Sequence, residues 1–319
     1  MKFLVIGAGS IGERHIRNLL TLGYEDILVF RSRNLPLRTV NPQRINIITD
    51  WQAALAHRPD AALICSPTAL HLEQTLQCVR AGMHVFAEKP LSHTSEGLEK
   101  SEEELRERKV LLQVGYMMRF HPLLRRVKQF IKTATYGKLV SFHSHWGEYL
   151  PDWHPWEDYR TSYAARRDLG GGAGLTLSHD IDAALWLAGR EVTEHCMLPN
   201  FGGLPGTDTD NATDILLRFA GGTTGHIHLN FFQKNPERRY EYRFEEATVT
   251  VDYFANSLNI LQKNKPPQTK TLADFDRNDM FLAQAQAFIE NVKTTEEERV
   301  AFGLKELETS KIILKILGK

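Results

Sequence analysis

The stretch KFLVIGAGSIGERH, residues 2–15, decides the fold. Residues 2–6 form a short apolar run that reads as a buried strand, and residues 11–22 have helical spacing. Between them lies Gly7-Ala8-Gly9-Ser10-Ile11-Gly12, a GxGxxG that joins strand to helix. Each glycine answers a physical demand. Gly7 permits the tight turn, Gly9 lets backbone approach a pyrophosphate, and Gly12 lets helix and strand pack closely. The amides of Ser10 and Ile11 open the helix, where unpaired N–H groups and the positive end of the helix dipole favour phosphate. Alone, such a glycine turn is common; inside a strand-turn-helix unit it reads as a dinucleotide site.

Working outward, the runs 26–30, 61–65, 83–87 and 111–114 read as further buried strands. Segments 50–57, 68–81 and 93–108 have helical spacing, with Asp50 and Thr68 as candidate N-caps. This alternation predicts an α/β fold that begins with a Rossmann domain, a doubly wound parallel sheet over residues 1–119. Beyond it a helix is expected at 122–133, a strand at 139–150, loop at 150–172 and a helix after the glycines at 170–172. Strands follow at 192–198, 213–219, 223–232, 238–245, 247–254 and 258–262, with Gly221-Gly222 as a hairpin turn. Strands in succession without helices predict a large open, mainly antiparallel sheet in a C-terminal α+β domain, 120–319, closed by helices near 278–293 and 300–317.

Of the 319 residues, 39 are Lys or Arg and 39 are Asp or Glu, so no global field draws nucleic acid or an anionic membrane. Cys65, Cys78 and Cys196 are far apart and form no CxxC, which suits a reducing compartment and speaks against a disulfide framework or a zinc site. The apolar run at the N-terminus is too short for a signal peptide, and no run reaches membrane length. The expectation is a cytoplasmic protein with no nucleic-acid, membrane or metal partner. His143 and His145 share a strand face, as do His226 and His228, but neither pair has a third ligand at fixed spacing.

The end of the second strand bears on cofactor choice. An acid there would accept from the ribose 2′-hydroxyl of NAD. This chain has Phe30-Arg31-Ser32-Arg33 instead. Two guanidiniums and a hydroxyl suit a 2′-phosphate, which favours NADP. Arg31 and Arg33 as plain surface, or stacked on adenine, leave NAD open. Two more segments fall at strand ends, where ligands gather in such sheets: Ser66-Pro67-Thr68 with His71, and Glu88-Lys89-Pro90.

Together these segments resemble the Gfo/Idh/MocA oxidoreductase family across the whole chain. GAGSIG is similar to its dinucleotide turn, ICSPTALH to its fourth-strand segment, AEKPLS to its EKP motif and GYMMRFHP to its domain junction. GGGAGLTLSHDID resembles the loop and helix carrying the family's catalytic histidine. WGEYLPDWHPWEDYR followed by ARRDLGGG further resembles members associated with bacterial surface-sugar and sialic-acid-like biosynthesis. The resemblance implies hydride transfer between NAD(P) and a hydroxyl or carbonyl carbon of a sugar, sugar nucleotide or sugar-acid derivative. It also implies an open sheet face that packs against another subunit, hence a homo-oligomer, dimer or tetramer. Alternatives are a cyclitol dehydrogenase and a catalytically silent dinucleotide-binding regulator.

The lysine of the EKP motif maps to Lys89 and the histidine to His179. An imidazole can exchange a proton near neutral pH, and an ammonium can polarise a substrate oxygen. Thr176, His179 and Asp182 are spaced for one helix face, with Asp180 directed elsewhere. Thr176 stands where the family commonly has an aspartate, and it can relay a proton without holding negative charge. Asp182 orients His179, caps the helix or pairs with an arginine. Trp153, His154, Tyr159 and Arg160, with Trp146, Tyr149 and Trp156, crowd a loop that reads equally as a carbohydrate pocket or as a subunit interface or self-packed loop. Arg119 and His121 are candidates for the same cleft, and Arg166 and Arg167 for attraction of an anion or as plain surface.

Overall fold

A computed structural model describes residues 1–32, 36–189 and 191–319. The chain forms two compact units, Met1–Tyr116 with Asn278–Ile312, and Met117–Arg277 with Ile313–Lys319.

The first unit opens β1 (Phe3–Ile6), α1 (Ser10–Thr21), β2 (Ile27–Phe30), β3 (Asn46–Ile48), α2 (Trp51–Ala56), β4 (Ala61–Ile64), α3 (His71–Arg80), β5 (His84–Ala87), α4 (Leu98–Arg108) and β6 (Leu112–Val114). Its six strands lie in the order β3-β2-β1-β4-β5-β6, all parallel. This order reverses direction at β1 and β4, the switch point where such sheets bind ligands. Phe3, Leu4 and Val5 are fully buried, the mark of a strand covered on both faces. β3 escapes the sequence pattern because it is a three-residue edge strand with Asn46 and Ile47 exposed. Asp50 caps α2, accepting from the Ala53 amide at 2.6 Å. Thr68 does not cap α3; it opens a 3-10 turn, Thr68–Leu70, and α3 begins at His71.

The second unit contains α5 (Pro122–Thr133), β7 (Leu139–Tyr149), α6 (Ala173–Thr176), α7 (His179–Ala188) and β8 (Val192–Asn200). β9 (Ala212–Phe219), β10 (Thr224–Asn230), β11 (Phe232–Phe244), β12 (Thr248–Asp252), β13 (Ser257–Leu261) and β14 (Gln268–Thr271) follow. They form an eight-stranded sheet, β14-β13-β12-β11-β7-β10-β9-β8, antiparallel except where β7 and β10 run together. Gly221 and Gly222, both at positive φ, turn β9 into β10. β14 carries no apolar residue and is exposed throughout, so periodicity does not reveal it.

The chain then returns to the first unit through α8 (Arg277–Val292) and α9 (Glu296–Ile316). Phe288 and Ile289 join the core of Phe3, Val5, Val29, Leu63 and Phe86, and Glu306 accepts from the Val114 amide at 3.2 Å. Among the described residues, no helix is long and apolar enough to cross a membrane.

Candidate active site

In the first unit, the glycine turn is built as phosphate chemistry requires. Gly7 has φ +94°, and a Cβ there would lie 2.8 Å from the Cys65 carbonyl. A Cβ on Gly12 would lie 2.0 Å from the Gly7 carbonyl. Gly9 differs, because among the described residues no other part of the protein comes within 4 Å of its Cβ position. Two glycines therefore serve packing within the turn, and the third faces open space at the start of α1. The N-cap residue is Gly9, which has no side chain to cap the helix, and a helix start of this kind turns the amides at Ser10 and Ile11 toward an anion. These residues fit the diphosphate of a dinucleotide.

At the end of β2, Arg31 is buried and Ser32 exposed. Arg33 lies outside the described residues. Among the other predicted cofactor residues, Ser66 donates to Gln74 Oε1 at 2.6 Å. Pro67 precedes the turn, and Thr68 is buried within it. His71 has both ring nitrogens 2.8 Å from backbone carbonyls, Nε2 from Ser66 and Nδ1 from Pro90. It ties the Ser66 segment to the segment carrying Lys89. Burial drives its pKa below the ordinary histidine value, against the two carbonyls, which pull it upward.

Glu88 is buried as well and turns inward. His15 Nε2 lies 2.8 Å from Glu88 Oε1, and Oε2 accepts from the Lys89 amide at 3.3 Å. Burial raises the Glu88 pKa, but the His15 hydrogen bond, with the charges of His15, Lys89 and His71, outweighs it and holds the carboxyl below its usual range. Glu88 anchors the motif from below. Lys89 is half-buried and joined to Pro90 by a cis bond. His15 was absent from the sequence-based candidates; its position, one helical turn past Gly12, was the only clue.

In the second unit, the glycines at 170–172 meet the protein itself. A Cβ on Gly171 would lie 2.3 Å from the Tyr163 carbonyl, and one on Gly172, at φ +111°, would lie 2.2 Å from Asp210 Oδ1. Asp210 accepts from the Gly174 amide and the Thr213 hydroxyl, each at 2.8 Å, and so caps α6. The expected single helix is two. α6 stops at Thr176, α7 starts at His179, and Leu177-Ser178 breaks the path between them. Thr176 and His179 therefore belong to different helices. The side chains of Thr176, His179 and Asp182 are all buried, with His179 at 5% exposure.

Asp182 pairs with Arg119, Nε to Oδ2 at 3.0 Å and Nη2 to Oδ1 at 2.6 Å. This is the arginine pairing left open for Asp182 by its sequence, and the partner is a residue expected in the substrate cleft. Asp180, expected to point elsewhere, points to the sheet. It accepts from Ser144 Oγ at 2.6 Å, from the Tyr240 hydroxyl at 2.9 Å and from Arg238. Arg238 stacks 3.7 Å from the Trp146 ring, and Trp146 lies 6.1 Å from the His179 ring. Arg238 and Tyr240 were missed because alternating polar and aromatic residues on a strand do not reveal which face is inward. A pocket of about 240 Å³ opens beside this group, lined by Trp146, Glu148, Arg238, Tyr253, Asn256 and Phe275 among others. His121 is fully buried against Tyr253 and Phe275, and burial with the nearby Arg238 charge lowers its pKa to about 4.

The aromatic loop packs partly on itself and partly on the segments beside it. Trp153 meets Phe231 edge-on at 5.5 Å, His154 lies 5.2 Å from Trp156, and the Tyr159 hydroxyl donates to the Pro205 carbonyl at 2.6 Å. Arg160 pairs with Asp158, Arg166 with Asp168, and Arg167 donates to the Asp208 carbonyl at 2.9 Å. On the opposite sheet face His143 stacks on His226 and His145 on His228, and Asp214 is shared by His226 and His228. Among the described residues, no group of three or more His, Cys, Asp or Glu could hold a metal ion.

Comparison with known proteins matches both units. The family model described as an oxidoreductase family with NAD-binding Rossmann fold covers residues 1–116. The Gfo/Idh/MocA C-terminal domain covers residues 124–250. An uncharacterized oxidoreductase of Bacillus subtilis is 29% identical over 319 residues, 93% of this chain and 83% of that one. Myo-inositol 2-dehydrogenase of Thermotoga maritima is 27% identical, over 94% of this chain and 91% of its own. Among solved structures, levoglucosan dehydrogenase with NADH and levoglucosan has a TM-score of 0.81 at 17% identity, covering 100% of this chain and 97% of that one.

Proposed function

The chain belongs to the Gfo/Idh/MocA oxidoreductase family, and from that premise we propose that it transfers a hydride between a nicotinamide dinucleotide and a hydroxyl or carbonyl carbon of a sugar, sugar nucleotide or sugar-acid derivative. The observation that carries this reading is the cradle at Gly7–Gly12, where two glycines close the turn and Gly9 faces open space. When bound there, the dinucleotide supplies the redox chemistry. The amides at Ser10 and Ile11 hold its phosphates. Arg31 and Ser32 follow β2, where NAD enzymes place an acid, and Arg33 comes next in the sequence; this composition supports NADP over NAD.

The remaining steps fall to side chains. Lys89 polarises the substrate oxygen and stabilises developing negative charge on it. His179 takes the hydroxyl proton during oxidation and returns it during reduction. Thr176 can pass a proton but carries no charge to support an imidazolium. Trp153, His154, Tyr159 and Arg160 contribute to ring recognition, and Arg119 acts through Asp182. The open face of the eight-stranded sheet is the surface for self-association into a dimer or tetramer. A cyclitol substrate is the second reading, favoured by the likeness to myo-inositol 2-dehydrogenase.

Purified protein, supplied with NAD or NADP and a panel of sugars, sugar acids, sugar nucleotides and inositols, tests the proposal through the absorbance of reduced nicotinamide. Turnover is expected, and Lys89→Met and His179→Asn should each lower kcat by roughly 10²–10⁴ with dinucleotide binding retained. Firm binding with no turnover across the panel would instead identify a dinucleotide-sensing regulator.

A further inference from the structure

We infer that the Asp180–Arg238 pair is a positioning device for the His179 imidazole. This rests on the reading of His179 as the proton-handling group. Asp180 is the residue after His179, in the first turn of α7, and its side chain is fully buried. One carboxylate oxygen accepts from Ser144 on β7; the other accepts from Tyr240 and Arg238 on β11. Arg238 Nε in turn donates to the Tyr240 hydroxyl at 2.6 Å. The start of the helix is thereby fastened to two strands through one side chain. A carboxylate there also complements the positive end of the helix dipole.

The same group closes back on the imidazole. Arg238 covers the Trp146 ring at 3.7 Å, and that ring lies 6.1 Å from His179. Trp146 is itself fixed by donating Nε1–H to Glu148 Oε1 at 2.8 Å. A wall of fixed orientation therefore stands beside the imidazole, and the residue bonded to its backbone is fastened to that wall. Stability alone does not call for this arrangement, since a buried ion pair is often no better than apolar packing of the same volume. What charge adds is direction and electrostatic balance.

The groups around His179 carry a set pattern of charge. Asp180 and Asp182 lie on its own helix, with Arg119 opposite Asp182. Arg238 and Tyr240 come from β11, and Glu148 lies behind Trp146 on β7. His121, near Arg238, is held neutral by burial and that charge. Replacing Asp180 by Asn keeps shape but leaves the Arg238 cation uncompensated. That disfavours the imidazolium, so the His179 titration moves to lower pH.

The test uses the whole protein with dinucleotide and an accepted sugar, and follows kcat, KM and their pH profile. Histidine-labelled protein gives the His179 titration by NMR, assigned by the signal lost in His179→Asn. Asp180→Asn should lower kcat about tenfold or more, leave KM within about threefold, and move both the titration midpoint and the pH limb down by about half a unit or more. In Asp180→Asn/Arg238→Met, which removes both charges and guards against misfolding of the single variant, the midpoint should return toward wild type while kcat stays low. Wild-type kcat in the double variant, or a midpoint within about 0.2 unit of wild type in Asp180→Asn, would overturn the inference. Full turnover by His179→Asn would remove the catalytic role of His179, and the NMR midpoints would still decide whether the pair acts on it.

Discussion

Arg119 grips Asp182 with two parallel hydrogen bonds, Nε to Oδ2 and Nη2 to Oδ1, and the carboxylate they hold is fully buried. Arg119 follows the Rossmann sheet in a 3-10 turn, Met117–Phe120, and Asp182 lies one helical turn past His179. The pair fastens α7 to that turn. Removing the arginine deprives a buried carboxylate of its bidentate partner, which is far costlier than losing a surface pair. Arg119→Met should therefore lower unfolding free energy by about 3 kcal/mol, read by denaturant titration. A rise in KM with unchanged stability would show instead that Arg119 serves the substrate directly.

The glycine cradle makes the sharpest steric prediction. A Cβ on Gly12 would sit 2.0 Å from a backbone carbonyl, which cannot move aside as a side chain can. Gly12→Ala should weaken dinucleotide binding about tenfold or more and destabilise the first unit, measured by fluorescence titration with NADH or NADPH and by thermal melting. A Cβ at Gly9 meets no other part of the described residues within 4 Å. Gly9→Ala should fold normally and lose only cofactor affinity, so a Gly9 variant with full affinity would argue against pyrophosphate at that position.

The proposed preference for NADP rests on Arg31, buried after the end of β2. Arg31→Asp places a carboxylate where it accepts from a ribose 2′-hydroxyl and repels a 2′-phosphate. The ratio of kcat/KM for NADP over NAD should fall about tenfold or more. An unchanged ratio would show that the arginine does not read the phosphate.

His121 predicts an acid-sensitive term in stability. Its folded pKa is about 4 and its ordinary value 6.5, so the unfolded chain takes up a proton first as pH falls. Stability is thus lost between those two values and lost no further below the lower one. At about pH 5 the loss is about 2 kcal/mol relative to about pH 8. His121→Phe keeps a ring against Tyr253 and Phe275 and removes the titration, so the difference between the two pH values should shrink by that amount in urea unfolding. An equal difference in both proteins would remove His121 from the account.

The sequence by itself determined the order of elements and the dinucleotide turn. Both are local: continuous apolar runs declare strands buried on both faces, and GxGxxG after the first of them has few other uses. The hairpin at Gly221-Gly222 was legible for the same reason. β3 and β14 were not, because short exposed edge strands gain their order from the neighbour that pairs with them rather than from an apolar pattern. Tertiary structure alone decided where the side chains of the candidate site point. Asp182 finds Arg119 across 63 residues, and Asp180 finds Arg238 across 58 and Tyr240 across 60. A carboxylate's role follows from which donor folding places against it, and helical spacing gives only the direction in which it leaves its own helix. The break at Leu177-Ser178 and the return of Asn278–Ile312 to the first unit have the same origin. Each depends on contacts between distant segments, which no local run of residues records.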